Sequence, residues 1–182
     1  GGAAYDAELS GAPERVAGVR GEALRLDGKD GAARVAYRLP EQGTVALWYR
    51  PDGFYNFNNV MDNAVSADLW EMWVYETGVL KFRVANGTGE AACSLKQFGG
   101  PGRWYHIAVV WDFVSARAAK LFVDGAECAS GAMPQWVEPG GHVTFGGGHP
   151  GNKKGRGDLD DVRLYREPLS DAQVWSLFRS MK

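Results

Sequence analysis

The sequence predicts an all-β fold, two antiparallel sheets packed face to face, with one short helix at the C-terminal end. Three observations carry this. Before Ser170, apolar residues alternate over short runs broken by Gly, Pro, Asn and Asp, the period-two pattern of half-buried strands. The dipeptides Asp27-Gly28, Asp52-Gly53, Asn86-Gly87 and Asp124-Gly125 tolerate the positive φ that tight turns need. Only the segment after Ser170 spaces its apolar residues for a helix.

Strands are predicted at 23–26, 33–39, 43–50, 60–62, 69–75, 80–85, 91–95, 104–111, 118–123, 126–129, 142–145 and 159–165. So many short strands in one unbroken pattern argue for a two-sheet sandwich in a single domain over residues 1–182, a module of a longer protein. In 44–50, parity puts Val45, Leu47 and Tyr49 on one face and Ala46, Trp48 and Arg50 on the other. In 104–111, Tyr105, Ile107, Val109 and Trp111 oppose Trp104, His106, Ala108 and Val110. Both faces carry apolar bulk, so one meets the core, and the other is covered by loops or forms an aromatic surface. The helix opens on a capping box, Ser170 with Gln173, and Val174, Leu177 and Phe178 follow at helical spacing to pack on the sandwich. Pro168 keeps it from starting earlier.

Composition narrows the function. A formal net charge of −2 supplies no basic field for nucleic acid. No apolar run approaches the roughly 20 residues that span a bilayer, so membrane insertion is not expected. Cys93 and Cys128 fit two buried thiols or one disulfide, and their spacing fits no zinc motif.

Five segments in order carry a resemblance. They are Gly21-Glu-Ala-Leu-Arg-Leu-Asp-Gly28, Thr44-Val-Ala-Leu-Trp-Tyr-Arg-Pro51, Gly102-Arg-Trp-Tyr-His-Ile-Ala-Val109, Leu121-Phe-Val-Asp-Gly125, and Gly157-Asp-Leu-Asp-Asp-Val-Arg-Leu-Tyr165 followed by Pro168-Leu-Ser170. Together they resemble the laminin-G-like, concanavalin A-like jelly-roll family, across nearly the whole chain. The resemblance implies a jelly-roll sandwich that binds a glycan or polysaccharide without catalysis, in a secreted or cell-surface protein. A protein-interaction, adhesion or spacer role is the alternative, and neighbouring domains of a parent protein are possible partners. The resemblance also implies a structural calcium where the first and last strands meet. Asp27, Gly28 and Asp160 occupy the matching positions and Asp30 stands nearby. Carboxylates and turn carbonyls suit that hard cation. The same aspartates also suit turn capping or pairing with Arg25 or Arg163.

Two segments suit a glycan. In 52–75, Phe54, Tyr55 and Phe57 alternate with Asn56, Asn58 and Asn59 in an expected loop. Aromatic faces stack on sugar C–H faces, and amides bond hydroxyls. Equally, Phe54 and Phe57 suit a plug for one end of the sandwich. Glu71 and Trp73 share a strand face, either lining a site with Arg50 or packing ordinarily. The glycine-rich run 146–157 presents His149, Asn152, Lys153, Lys154 and Arg156 to an acidic sugar or sulfate, or simply to solvent. His106, inside a strand, reads as a structural hydrogen bonder. Asn86-Gly87-Thr88 is both a glycosylation sequon and a hairpin turn, and the turn is the better reading.

An enzyme is not expected. Glycosidases on this fold carry Glu-x-Asp-x-x-Glu on one strand, which no stretch here supplies, and Glu71 and Glu76 fall on opposite faces.

Overall fold

In the computed structural model, the described residues are 5–63, 70–84, 88–147 and 154–180. Among these residues, fourteen strands, a short 3-10 turn at Leu95–Phe98 and one α-helix run in chain order. The strands are β1 (Ala7–Ser10), β2 (Glu14–Ala17), β3 (Glu22–Asp27), β4 (Ala32–Val35), β5 (Gln42–Arg50), β6 (Asn58–Asp62), β7 (Trp70–Val74), β8 (Val79–Val84), β9 (Gly89–Ser94), β10 (Tyr105–Asp112), β11 (Ala118–Val123), β12 (Ala126–Ala132), β13 (Val143–Phe145) and β14 (Arg156–Tyr165). The helix is α1 (Asp171–Arg179). One seven-stranded sheet has the order β1-β4-β13-β6-β7-β8-β9 and the other β12-β11-β10-β5-β14-β3-β2. Every strand pairing is antiparallel, the jelly-roll sandwich that the alternation predicts.

The inward parity of each strand builds one core. Val45, Leu47 and Tyr49 from β5 and Ile107, Val109 and Trp111 from β10 meet Trp70, Met72 and Val74 from β7 and Leu80 and Phe82 from β8. Trp70 is its centre. Its ring lies 5.5 Å from Trp111 across the sheets, 5.5 Å from Trp136, 5.7 Å from Phe113 and 5.9 Å from Phe82. Such tilted and edge-on pairs each add about 0.5–1.5 kcal/mol beyond area burial. Its buried Nε1–H donates to the Val137 carbonyl at 3.0 Å, so the indole carries no orphaned donor.

The second apolar face of β5 and β10 is covered by α1 together with loop residues, Leu169 just before the helix, Val19 from the β2–β3 turn and Trp104 before β10, and is not an open aromatic surface. Ala46, Ala108, Val110, Phe122 and Val174 form one cluster, and Trp48 packs with Phe178 in another. The capping box forms as predicted: the Ser170 hydroxyl accepts from the Gln173 amide, and Gln173 Oε1 accepts from the Ser170 amide at 2.8 Å. His106 lies beneath the helix, 5.4 Å from Trp48 and 6.0 Å from Phe178. Its Nδ1 has no hydrogen-bond partner among the described residues, and the ring packs between Trp48 and Phe178.

Two elements differ from expectation at the N-terminal end. β1 and β2 are four-residue edge strands whose residues are almost all exposed, so no alternation marks them. The strand expected at 33–39 ends at Val35, and Tyr37 and Leu39 stay buried in irregular chain. The hairpin expected at Asn86-Gly87 falls outside the described residues, although β8 and β9 pair as a hairpin would require. Cys93 of β9 and Cys128 of β12 are joined in a disulfide with Cα atoms 5.9 Å apart. β9 and β12 are edge strands of opposite sheets, so the bond ties the two sheets along one side. Beside it, Gly131 permits the approach, because a Cβ there would collide with the Glu90 carbonyl oxygen.

Closing a loop with a sequence separation of 35 residues restricts the unfolded chain, and removing the bond is expected to cost about 2–4 kcal/mol. Denaturant unfolding of the Cys93→Ser/Cys128→Ser variant checks this, and an unchanged midpoint would contradict it. Acid acts at a separate place. Burial pushes the His106 imidazole down to about 4, against the pull of Asp124. Below the ordinary imidazole value near 6.5 the unfolded chain takes a proton that the folded chain refuses. The stabilisation is complete above that value and falls away as pH drops towards 4, by about 3 kcal/mol in all. His106→Phe should flatten the melting-temperature profile in that window.

Candidate functional site

The aromatic and amide residues of 52–75 divide between scaffold and surface. Asn58 and Asn59 belong to β6 and are buried, not displayed on a loop. The Asn58 amide donates to the Tyr49 hydroxyl at 2.9 Å and the Arg156 carbonyl at 3.1 Å, and its oxygen accepts from the Arg156 amide at 2.7 Å. It therefore fixes where β14 begins. Asn59 donates to Asp62 at 3.1 Å. Phe54 packs against the core, as the plug reading has it. Tyr55 and Asn56 are exposed, and the Arg156 guanidinium stands over the Tyr55 ring at 4.4 Å, 3.7 Å from Asp52.

Arg50 is already engaged. Asp158, 2% exposed, accepts from Arg50 at 2.7 Å and from Arg25 at 2.7 Å. Burial pushes this carboxyl up, but the two guanidiniums outweigh it and hold it below the usual carboxylate range. Arg50 also lies 4.8 Å from the centre of the Trp104 ring. Its charge is spent on joining β3, β5 and β14.

Glu71 and Trp73 do share a face, the outer face of the sheet that contains β7, and both are buried. Arg83 donates to Glu71 at 3.0 Å and lies 4.9 Å from the Trp73 ring centre. Trp73 meets Tyr75, which meets Phe57 at 5.3 Å. Phe57, Trp73 and Glu71 are thus brought together as a packed layer. His149 and Asn152 lie outside the described residues.

The calcium positions do not converge. Asp27 accepts from the Lys29 amide at 2.9 Å and the Gly31 amide at 3.4 Å, a turn cap. The Lys29 amide above all holds that carboxyl below its usual range. Asp160 accepts from the Val19 and Arg20 amides at 2.7 and 3.1 Å. Asp27 opposes Arg156, four residues before Asp160 in β14, about 13 Å along a strand. The Gly28 amide donates to the Gly155 carbonyl, and Asp30 faces Lys154 at 3.6 Å. Among the described residues no three His, Cys, Asp or Glu side chains could hold a metal together. These residues do not fit a shared calcium site, because backbone amides already serve the two carboxylates.

A groove lies elsewhere, on the outer face of the sheet that begins with β1. Strand register lines up Glu8, Arg34, Thr144, Asp62, Glu71, Arg83 and Glu90 directly across its seven strands. At the β1 end of this row the surface opens into a cavity of about 590 Å³. Arg34 and Thr144 belong to its lining, with His142 beside them, Ser10 on β1, Lys29 and Asp30 from the β3–β4 turn, and Lys154 from the chain entering β14. Arg34 donates to His142 Nδ1 at 3.0 Å. Of the described residues of the glycine-rich run, Gly147 and Lys154 line this cavity and Arg156 does not. The others are scattered through the sequence, and no linear motif joins them. Strand alternation is the signal that points to two of them: Arg34 stands between inward Ala33 and Val35, and Thr144 between inward Val143 and Phe145.

With no shared metal set, melting temperatures in calcium and in chelator are expected to coincide. A clear rise on calcium addition would overturn the reading of Asp27 and Asp160 as turn and strand caps.

Solved structures of similar fold are binding domains. The binding domain of Paraclostridial Mosquitocidal Protein 1 matches with a TM-score of 0.76 at 16% identity, over 97% of this chain and 47% of that one. The binding domain of botulinum neurotoxin DC in complex with SialylT matches with a TM-score of 0.74 at 13% identity, over 98% and 46%. The ligand-binding domain of botulinum neurotoxin serotype D in complex with N-acetylneuraminic acid matches with a TM-score of 0.75 at 11% identity, over 97% and 47%. This chain spans about half the length of those domains, and at these identities the likeness concerns the fold. No curated protein matches the sequence. A family model described as the concanavalin A-like lectin/glucanases superfamily, a laminin G type, matches residues 27–175, and the chain belongs to that family.

Proposed function

We propose that this chain is a non-catalytic carbohydrate-binding module of a secreted or cell-surface protein, and that the groove beside Arg34 and Thr144 is where the sugar sits. The groove carries the reading. It is open, lined largely by hydrogen-bonding side chains, and within the roughly 300–1,000 Å³ of ligand sites. Hydroxyl, guanidinium, ammonium, imidazole and carboxylate groups converge there, a donor and acceptor set suited to sugar hydroxyls. Membership of a lectin-like family and the glycan-bound neurotoxin domains of similar fold support it. The disulfide supports an oxidising compartment. The acids lining the groove, Glu8 and Asp30, are exposed, unlike the desolvated acid that glycoside hydrolysis employs.

A glycan array followed by titration calorimetry tests this. At least one oligosaccharide is expected to bind. Ser10→Trp, at an exposed position on the groove wall, should weaken it at least about tenfold, equivalent to about 1.4 kcal/mol, with the melting temperature retained. A blank across neutral and acidic glycans would overturn the reading in favour of a protein-interaction module.

A further inference from the structure

The charges of the groove specify its ligand further, on the footing that it binds a glycan at all. The whole chain carries a net charge of −2, yet among the described residues the lining reverses that sign locally: Lys29, Arg34 and Lys154 stand against Glu8 and Asp30. The anionic partners are loosely held. Asp30 is 84% exposed in its side chain, and its oxygen is 3.6 Å from Lys154, an open surface pair of small worth that an incoming anion can replace. Arg34 is more constrained. One Nη2–H is committed to His142 Nδ1, which orients the planar guanidinium and leaves other N–H groups of its fork for a ligand. Because Nδ1 accepts, the neutral His142 ring carries its proton on Nε2 and is a further donor. Burial, then Arg34, lowers the affinity of this imidazole for a second proton.

A second cavity of about 370 Å³ adjoins the first, sharing Glu8, Arg34 and His142. Its additional charged residue is Asp6, so its character is acidic where the first is basic. The Arg34–His142 pair is the boundary between them. We infer that the groove takes an acidic oligosaccharide, with a carboxylate-bearing sugar held by Arg34, Lys29 and Lys154 in the larger cavity and a neutral, hydroxyl-rich sugar donating to Asp6 and Glu8 in the smaller. The guanidinium fork matches a carboxylate with two parallel hydrogen bonds, and the two lysines add charge without demanding geometry. Rim acids across the boundary set direction, since a second anionic sugar there would meet like charge.

The probes are oligogalacturonate, oligoalginate and sialyllactose, each with its carboxyl-reduced counterpart, measured by calorimetry at low and high salt. At least one acidic probe is expected to bind about tenfold or more tighter than its reduced form, with the difference shrinking in salt. Arg34→Ala and Lys154→Ala, both at groove surface positions, should each remove most of that difference while leaving the weak binding of the reduced form. Arg34→Lys should restore it only in part, because an ammonium lacks the fork. Equal binding of acidic and reduced forms overturns the acidic assignment and leaves the glycan reading standing. An acidic preference that survives the Arg34→Ala/Lys154→Ala double variant overturns the placement. Failure of every probe, acidic and reduced, overturns the acidic assignment; the glycan reading falls with it only when the array of neutral and acidic glycans is blank as well.

Discussion

The aromatic node at Trp70 is the constraint on which the remaining architecture rests. It contacts Trp111 from the opposite sheet and Phe113 and Trp136 from the connecting chain, and its donor is satisfied by Val137. Fixing Trp70 inward fixes the parity of β7. By the period of two, Glu71 and Trp73 must then face outward. The same parity passes from strand to strand through the ladder, so Asp62, Thr144 and Arg34 emerge on the same side. A one-residue slip in β7 would send a carboxylate into the core, and the groove row would lose its alignment.

The two outer faces have divergent fates for reasons of composition. On β5 and β10 the outward residues are Ala46, Trp48, Ala108 and Val110, which water covers poorly, and α1 is recruited to bury them. On the facing sheet the outward residues are mostly polar or charged, and the exception Trp73 is covered by Arg83, so no helix is needed. The polar row therefore stays available along its β1 end, while towards β7 and β8 it closes into a buried layer of Glu71, Arg83 and Trp73. Scaffold and candidate site are two ends of one register.

The legible parts of the fold were those with local physical signatures. Asp124-Gly125 takes φ of 51° and 82°, which is why that dipeptide marked the β11–β12 turn, and Ser170 with Gln173 marked the helix start. β1 and β2 carried no signature, since exposed edge strands have no buried face to impose alternation. The candidate site was less legible. Aromatic and amide composition pointed to Asn58 and Asn59, but the same groups that bind sugar hydroxyls also satisfy backbone groups inside a sandwich. Ser10, Lys29, Arg34 and His142 meet only because β1, β4 and β13 are neighbours in space, a fact of topology that no window of sequence contains.

The disulfide also bears on association. A sandwich of two open sheets has four edge strands, here β1, β9, β12 and β2, each with backbone groups able to accept a strand from another molecule. β1 and β2 are only four residues long and carry Glu8, Glu14 and Arg15, which discourages pairing. β9 and β12 are longer, at six and seven residues, and are held against each other by Cys93 and Cys128. Oxidation thus leaves the short charged edges as the freer ones, and reduction releases the pair most able to template aggregation.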